Sequence, residues 1–424
     1  MSQVGIVAGQ EAKMIGDAVK FRILAAYSLV LILLGLLLGD STEMFSGMLA
    51  VLQSPSILLT DYMVVGGIGA ALVNSGLVAL IGLAVVAISK ASISGGVIAA
   101  IFTMAGFALF GKNIVNVWPI FLGVYLFAMV KREPFKKFIA PALFGTTLAP
   151  MVSQLAVGFD FIPAVGLALG VGFGTIAGFI LPPLAAHCLT FHKGYNIYNV
   201  GVTGGIAGAV FMSLFRGYGL QNKATLIWGE GFNQTLVPIF IAYFASLVLL
   251  GLWLDASSFK QLGKLVSHTG VVPSDFTSLN GVGATFVNMG LVGLMGIGYI
   301  MLFGAELNGP TLGGVLTMVG FGAFGKHIKN IAPIMLGVYL GTVVQTWSPS
   351  DPGAVLAALF GTTLAPIAGK FGIIAGVVAG FIHLSVVMNV GFLHGGMNLY
   401  NNGFAGGIVA AVMVSVLAAF VKVD

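Results

Sequence analysis

One run of seven residues, Phe144-Gly145-Thr146-Thr147-Leu148-Ala149-Pro150, recurs unchanged at Phe360 to Pro366. Other matches keep register with it. Pro119 to Leu126 recurs at Pro333 to Leu340 with Phe121 replaced by Met335. Phe110-Gly111-Lys112 matches Phe324-Gly325-Lys326, Asn116 matches Asn330, and Asn74 with Gly76 matches Asn288 with Gly290. Asp61 matches Asp275, and His192-x-Gly194-x-Asn196-x-Tyr198-Asn199-x-Gly201 matches His394-x-Gly396-x-Asn398-x-Tyr400-Asn401-x-Gly403. Even the first apolar run has a counterpart, because Tyr27 and Gly35 fall opposite Tyr243 and Gly251. Chance does not produce this, so the chain is a duplication, and its fold must be buildable from one unit used twice. The first unit covers residues 1–220 and the second 221–424.

The unit itself is apolar. Of the 424 residues, 58% are hydrophobic and 7% charged, against about 25% charged in a soluble protein. A water-facing surface cannot be made from so few charges, so the surface faces lipid. Runs such as 284–303 reach the ~20 residues that a hydrocarbon core of about 30 Å requires. The 62 glycines suit membrane helices, which pack closely through small residues. Seven apolar segments can be marked in the first unit (22–39, 62–89, 93–111, 114–130, 138–157, 162–186, 196–215). Seven more follow in the second (234–254, 277–303, 308–324, 331–346, 354–368, 372–392, 400–420). An odd number of crossings turns the second copy upside down. The expected fold is therefore an all-α membrane protein of two inverted-topology repeats, with some short segments broken or re-entrant.

The cations test this independently. With the N-terminus in the cytoplasm and every segment crossing, 15 of the 18 Lys and Arg residues fall inside, and Lys112, Arg216 and Lys223 fall outside. That is the bias expected of cytoplasmic loops. Matched loops also differ in sign: Lys131 to Lys137 is basic, whereas its counterpart Gln345 to Asp351 has no cation. The expected location is a bacterial inner membrane, crossed many times, with both termini cytoplasmic. The polar first 20 residues read as a cytosolic tail and not as a signal peptide. The net charge of +5 is explained by sidedness, and nucleic acid is not expected as a partner. The lone Cys188 excludes an internal disulfide. Self-association in the bilayer is left open.

Inverted repeats usually place a solute site on broken helices near the midplane, where the halves meet. Four features compete for that role. Thr146, Thr147, Thr362 and Thr363 lie between Gly and Pro within apolar segments. A helix break there would offer hydroxyls and free backbone groups, and the four are expected to face one another across the twofold axis. The opposing reading is a threonine bonded back to its own helix. Asn196, Asn199, Asn398 and Asn401 are costly in lipid unless paired or facing a cavity; alternatively their motif is an interfacial cap, with Tyr198 and Tyr400 in the aromatic belt. Asn74 and Asn288 sit mid-span and must bond another helix or line a polar route. Lys112 and Lys326 are either plain loop cations or flank the two mouths of an anion path. Asp61 and Asp275 are expected to cap helix N-termini.

No carboxylate lies well inside a segment, and no nucleotide loop, voltage-sensor ladder or potassium filter is present. The polar residues come in symmetric pairs, whereas catalytic sets are asymmetric, so an enzyme is not expected. No cofactor is expected either; sodium as a coupling ion is compatible with carbonyl and hydroxyl ligands. The paired motifs and length resemble an uncharacterised prokaryotic membrane-protein family whose region occurs twice per chain, which implies no activity. Gly194-Tyr195-Asn196 and Gly396-Met397-Asn398 are also similar to short runs in urea transporters, another inverted-repeat family. The expected function is transport of a small polar neutral or anionic solute by a secondary transporter or facilitator, with a passive channel as the alternative.

Overall fold

The structure is a computed structural model and describes residues 15–420. Lys13 and Lys422, both counted above as cytoplasmic, lie outside the described residues. Among the described residues, all regular structure is helical apart from two isolated bridges, Thr60–Ile227 and Asp275–Phe324. The first half contributes α1 (Asp17–Leu38), α2 (Met44–Gln53), α3 (Tyr62–Val65), α4 (Gly67–Ser89), α5 (Gly95–Phe107), α6 (Trp118–Val130), α7 (Ile139–Gly145), α8 (Ala149–Ser153), α9 (Pro163–His192) and α10 (Asn199–Gly217). The second half repeats the order: α11 (Asn233–Leu254), α12 (Ser258–Leu265), α13 (Phe276–Leu279), α14 (Val282–Leu302), α15 (Gly309–Phe321), α16 (Ile328–Val344), α17 (Pro352–Gly361), α18 (Ala365–Phe371), α19 (Ile373–Val390) and α20 (Asn401–Phe420).

Among the described residues, five segments in each half are long and apolar enough to cross a bilayer alone, and the other two expected segments of each half are shorter apolar helices. The expected third and fourth crossings are short helices: α5, α6 and α15 have 13 residues each and α16 has 17. At 1.5 Å per residue, 13 residues reach only about 20 Å. With or without the two short helices as a crossing pair, the number of crossings per half is odd, as inversion requires.

Packing follows the repeat. α1 lies on α4 as α11 lies on α14, and α6 on α9 as α16 on α19. Two helix pairs make the main contact between the halves: α5 with α15, and α10 with α20. Every residue of α15 is buried, as are all but one of α5. The two therefore form the centre, while α1, α9, α11 and α19, each at most one-third buried, face lipid. α5 and α15 run antiparallel, because Gly95 lies against Ala323 and Leu109 against Gly309. A twofold operation that relates antiparallel neighbours has its axis perpendicular to them, which for upright helices lies in the membrane plane. Between them no side chain fits. A Cβ on Gly106 or on Gly313 would lie 2.5 Å from the other's carbonyl oxygen.

Candidate functional site

The repeated threonines sit where proline interrupts a span. Pro150 has no N–H to close the α-helical bond to the Thr146 carbonyl, so Ala149 N–H bonds it instead and the chain tightens into a 3-10 turn over Thr146–Leu148. Ala365 and Thr362 repeat this before Pro366. The interruption is a tightened turn and not an unwound loop. Thr146 Oγ1 donates back to Leu143 O at 2.6 Å, and Thr362 Oγ1 to Leu359 O at 2.5 Å. Their neighbours reach outward.

Thr147 Oγ1 donates to Asn398 Oδ1 at 2.9 Å and accepts from Tyr400 N at 3.0 Å, while Thr147 O accepts from Leu399 N at 3.1 Å. The mirror set joins Thr363 Oγ1 to Asn196 Oδ1 and to Tyr198 N at 3.0 Å, and Thr363 O to Ile197 N at 3.1 Å. Asn196 Nδ2 donates on to Gly403 O at 2.9 Å, and Asn398 Nδ2 to Gly201 O at 3.3 Å. Each half's Asn-x-Tyr loop thus plugs the interrupted span of the other half. The bonds of Thr147 and Thr363 run to these loops, not to each other. Gly201 and Gly403 make the crossing tight, since a Cβ on either would lie 2.9 Å from the other's Cα.

The remaining asparagines brace the site. Asn199 Oδ1 pairs with His192 Nε2 and Asn401 Oδ1 with His394 Nε2, both at 3.0 Å. Their amides bond Ala185 O and Val387 O near the ends of α9 and α19. Mid-span Asn74 Nδ2 donates to Ala108 O and Lys112 O at 2.7 and 2.8 Å, and Asn288 Nδ2 to Gly322 O and Lys326 O, both at 2.7 Å. These two asparagines therefore pin the turns after α5 and α15 that carry the lysines.

Lys112 and Lys326 are not exposed loop cations: both are wholly buried. Around them stand Phe107, Phe144, Tyr198, Phe321, Phe360 and Tyr400, with ring centroids of 4.5 Å for Phe107–Tyr400, 4.7 Å for Tyr198–Phe321 and 4.8 Å for Tyr198–Tyr400. Tyr198 and Tyr400 are thus central and not in an interfacial belt. Lys326 Nζ donates to Tyr198 OH at 2.5 Å and to Thr362 Oγ1 at 2.6 Å, lying 4.3 Å from the Tyr198 ring centroid. Lys112 departs from this symmetry. Its Nζ lies 5.0 Å from the Phe107 ring centroid and has no hydrogen-bond partner. Tyr400 OH, the counterpart of Tyr198 OH, bonds Thr103 Oγ1 at 3.3 Å instead. Among the described residues no carboxylate pairs with either lysine. Of these rings the sequence motifs contained Phe144, Phe360, Tyr198 and Tyr400, the tyrosines read as interfacial, while Phe107 and Phe321 went unnoticed.

Asp61 and Asp275 cap α3 and α13 as expected, accepting from Met63 N at 2.8 Å and Thr277 N at 2.9 Å. Each also crosses the interface. Asp275 Oδ2 accepts from Gly95 N, the first residue of α5, at 2.9 Å, and Asp61 lies against Gly309, the first residue of α15. An acidic group there suits the helix dipole. Burial raises the Asp61 carboxyl to about 6, against the opposing pull of the Met63, Gly229 and Gly309 amides.

A cavity of about 740 Å³ opens beside this cluster, between the 224–226 segment, the start of α17 and the end of α19. Its buried lining includes Phe110, Phe360 and Leu399, and Asn401 borders it. The threonines do not reach it.

Apolar helices long enough to cross a bilayer, repeated in the same chain order in both halves and joined by a polar interface, define a polytopic membrane protein with an internal duplication. The chain belongs to the family described as "Protein of unknown function (DUF1576)", whose model matches residues 40–217 and again 254–419. This agrees with the resemblance to an uncharacterised family with a duplicated region. Comparison with curated proteins and with solved structures gives no match.

Proposed function

We infer that the chain moves a small polar solute, neutral or anionic, across a bilayer along the interface between its halves. The observation that carries this reading is the pair of wholly buried lysines at that interface, without a carboxylate partner. Uncompensated buried amines cost stability, and intramembrane ionisable groups mark solute paths by default. Threonine, asparagine and tyrosine groups contributed by both halves surround them, as expected where inverted repeats form a midplane site.

A secondary transporter or facilitator fits better than an open channel, because aromatic rings packed together close the axis beneath a one-sided cavity. The duplicated, symmetric polar set argues for transport over catalysis, and sodium is the coupling ion that hydroxyl and carbonyl oxygens would accept. The cation bias supports cytoplasmic termini, in keeping with a bacterial inner membrane as the location. Setting the buried Lys112 and Lys326 aside leaves 14 to 2 with every segment crossing, and 13 to 3 with the short pairs returning to their own face, because Lys329 then falls outside.

Uptake into proteoliposomes tests the reading. A panel of small polar neutral and anionic solutes is offered with and without sodium and proton gradients. Saturable, gradient-dependent uptake is expected. Large unsaturable flux would select the channel, and uptake of organic cations alone would overturn the solute class.

A further inference from the structure

We propose that Lys112 is the binding group for a small monovalent anion, received from the cavity beside Phe110. The proposal rests on the transport reading above and names one site within it.

Three observations carry it. The first is an unused donor. Lys112 Nζ has three N–H groups, is wholly buried and bonds nothing. A buried ammonium without a partner is among the costlier groups a protein can hold, whereas one that meets an anion gains strong charge-assisted bonds. The second is the contrast with its counterpart. Lys326 is satisfied by Tyr198 OH and Thr362 Oγ1. The equivalent hydroxyls for Lys112 belong to Tyr400 and Thr146, and Tyr400 OH is turned onto Thr103. One lysine is occupied by protein; the other is left for a ligand. The third is access. Phe110, two residues before Lys112, lines the 740 Å³ cavity together with Phe360. The Phe107 ring that Lys112 Nζ overlies packs 5.1 Å from Phe110 and 5.6 Å from Phe360. One layer of rings separates the amine from the cavity.

These features set the ligand class. A single ammonium compensates a single negative charge. It acts as a point charge with no guanidinium fork, so a planar bidentate ligand is not required. An ion reaching an amine buried behind a layer of rings must be small, which favours halide, nitrate or formate over a bulky organic acid. Among the described residues no carboxylate pairs with Lys112, so the charge that balances it must come from a ligand.

The test uses the purified full chain in detergent. Thermal unfolding is followed in sodium chloride, nitrate or formate, each titrated against sodium gluconate at constant sodium and ionic strength, with sodium sulfate as a divalent control. A ligand that binds only the folded state raises its apparent melting temperature in a concentration-dependent way. The expected result is a rise with at least one small monovalent anion, steepest near its dissociation constant, and none with gluconate or sulfate. Lys112→Met should abolish that rise, with Lys112→Gln as a second variant should Met impair folding. No rise with any small anion in the wild-type chain, an equal rise with gluconate or sulfate, or a rise retained in both variants would overturn the proposal. Solute uptake measured on the same preparation separates the two readings. Small-anion binding without flux of any solute supports this site and removes the transport reading. Solute flux without small-anion binding removes this site alone.

Discussion

Thr146 and Thr147 are neighbours of one type in one turn, yet their surroundings assign them different work. Thr146 Oγ1 donates only to its own helix, whereas Thr147 Oγ1 links Asn398 Oδ1 and Tyr400 N of the other half. Valine in place of threonine keeps the volume and removes the hydroxyl. Thr147→Val leaves buried groups of the Asn398–Tyr400 loop short of a partner, at about 1–3 kcal/mol. Thr146→Val loses a back-bond worth less than about 1 kcal/mol. Thermal unfolding of the two variants should therefore separate clearly, with Thr147→Val the lower, and Thr147→Val should also lower solute uptake. Equal melting temperatures would count against the cross-half bond. From the sequence the motif was legible and the division of labour was not. The back-bonded reading holds for Thr146 and Thr362; Thr147 and Thr363 instead bond the loops of the opposite half, and only a partner 251 residues away distinguishes the two members of the pair. The lysines teach the same point in reverse. A basic residue after Phe-Gly reads as a loop charge because nothing local reveals that Asn74 and Asn288 draw the turn inward.

At the scale of elements, apolar runs located the helices but did not separate those long enough to cross a bilayer alone from the shorter ones. The segments at 93–111 and 308–324 are as apolar as any span, since helices buried on every side also lack polar residues. Length was the discriminating feature, because helices of 13 residues are too short to span alone. Their glycines carry the packing. Gly106→Ala or Gly313→Ala would drive a Cβ to 2.5 Å from a carbonyl oxygen of the facing backbone, an overpacking expected to cost about 2 kcal/mol or more. Gly172→Ala in α9 is the control, because its Cβ meets nothing within 4 Å. Heating purified variants in detergent should show the first two losing monodispersity well before wild type, with Gly172→Ala at or slightly above it.

For the molecule as a whole, the duplication was legible because motifs in both halves serve one interface and each constrains the other. Inversion followed from counting and from charge, and it makes a sidedness prediction. In a Cys188→Ser background, single cysteines introduced beside the exposed Lys136 and beside the exposed Ser350 should react with a membrane-impermeant thiol reagent from opposite faces. The Lys136 site should label from the cytoplasmic face. Labelling of both from one face would refute the inversion. The unequal lysines have a consequence for energetics. When two halves share one plan but settle into unlike conformations, symmetry describes a second conformation with the roles exchanged: Lys112 on Tyr400 and Thr146, Tyr198 on Thr317. Each hydrogen bond that opens in one half is matched by one that closes in the other. The two conformations are degenerate except where the halves differ in sequence, as at Asn113 against His327. A gap of about 1.4 kcal/mol between such states keeps them within tenfold of each other in population. A ligand bound on one side then needs only modest binding energy to reverse the balance. The ancestral duplication would thus supply, without further design, a two-state equilibrium poised close to its midpoint.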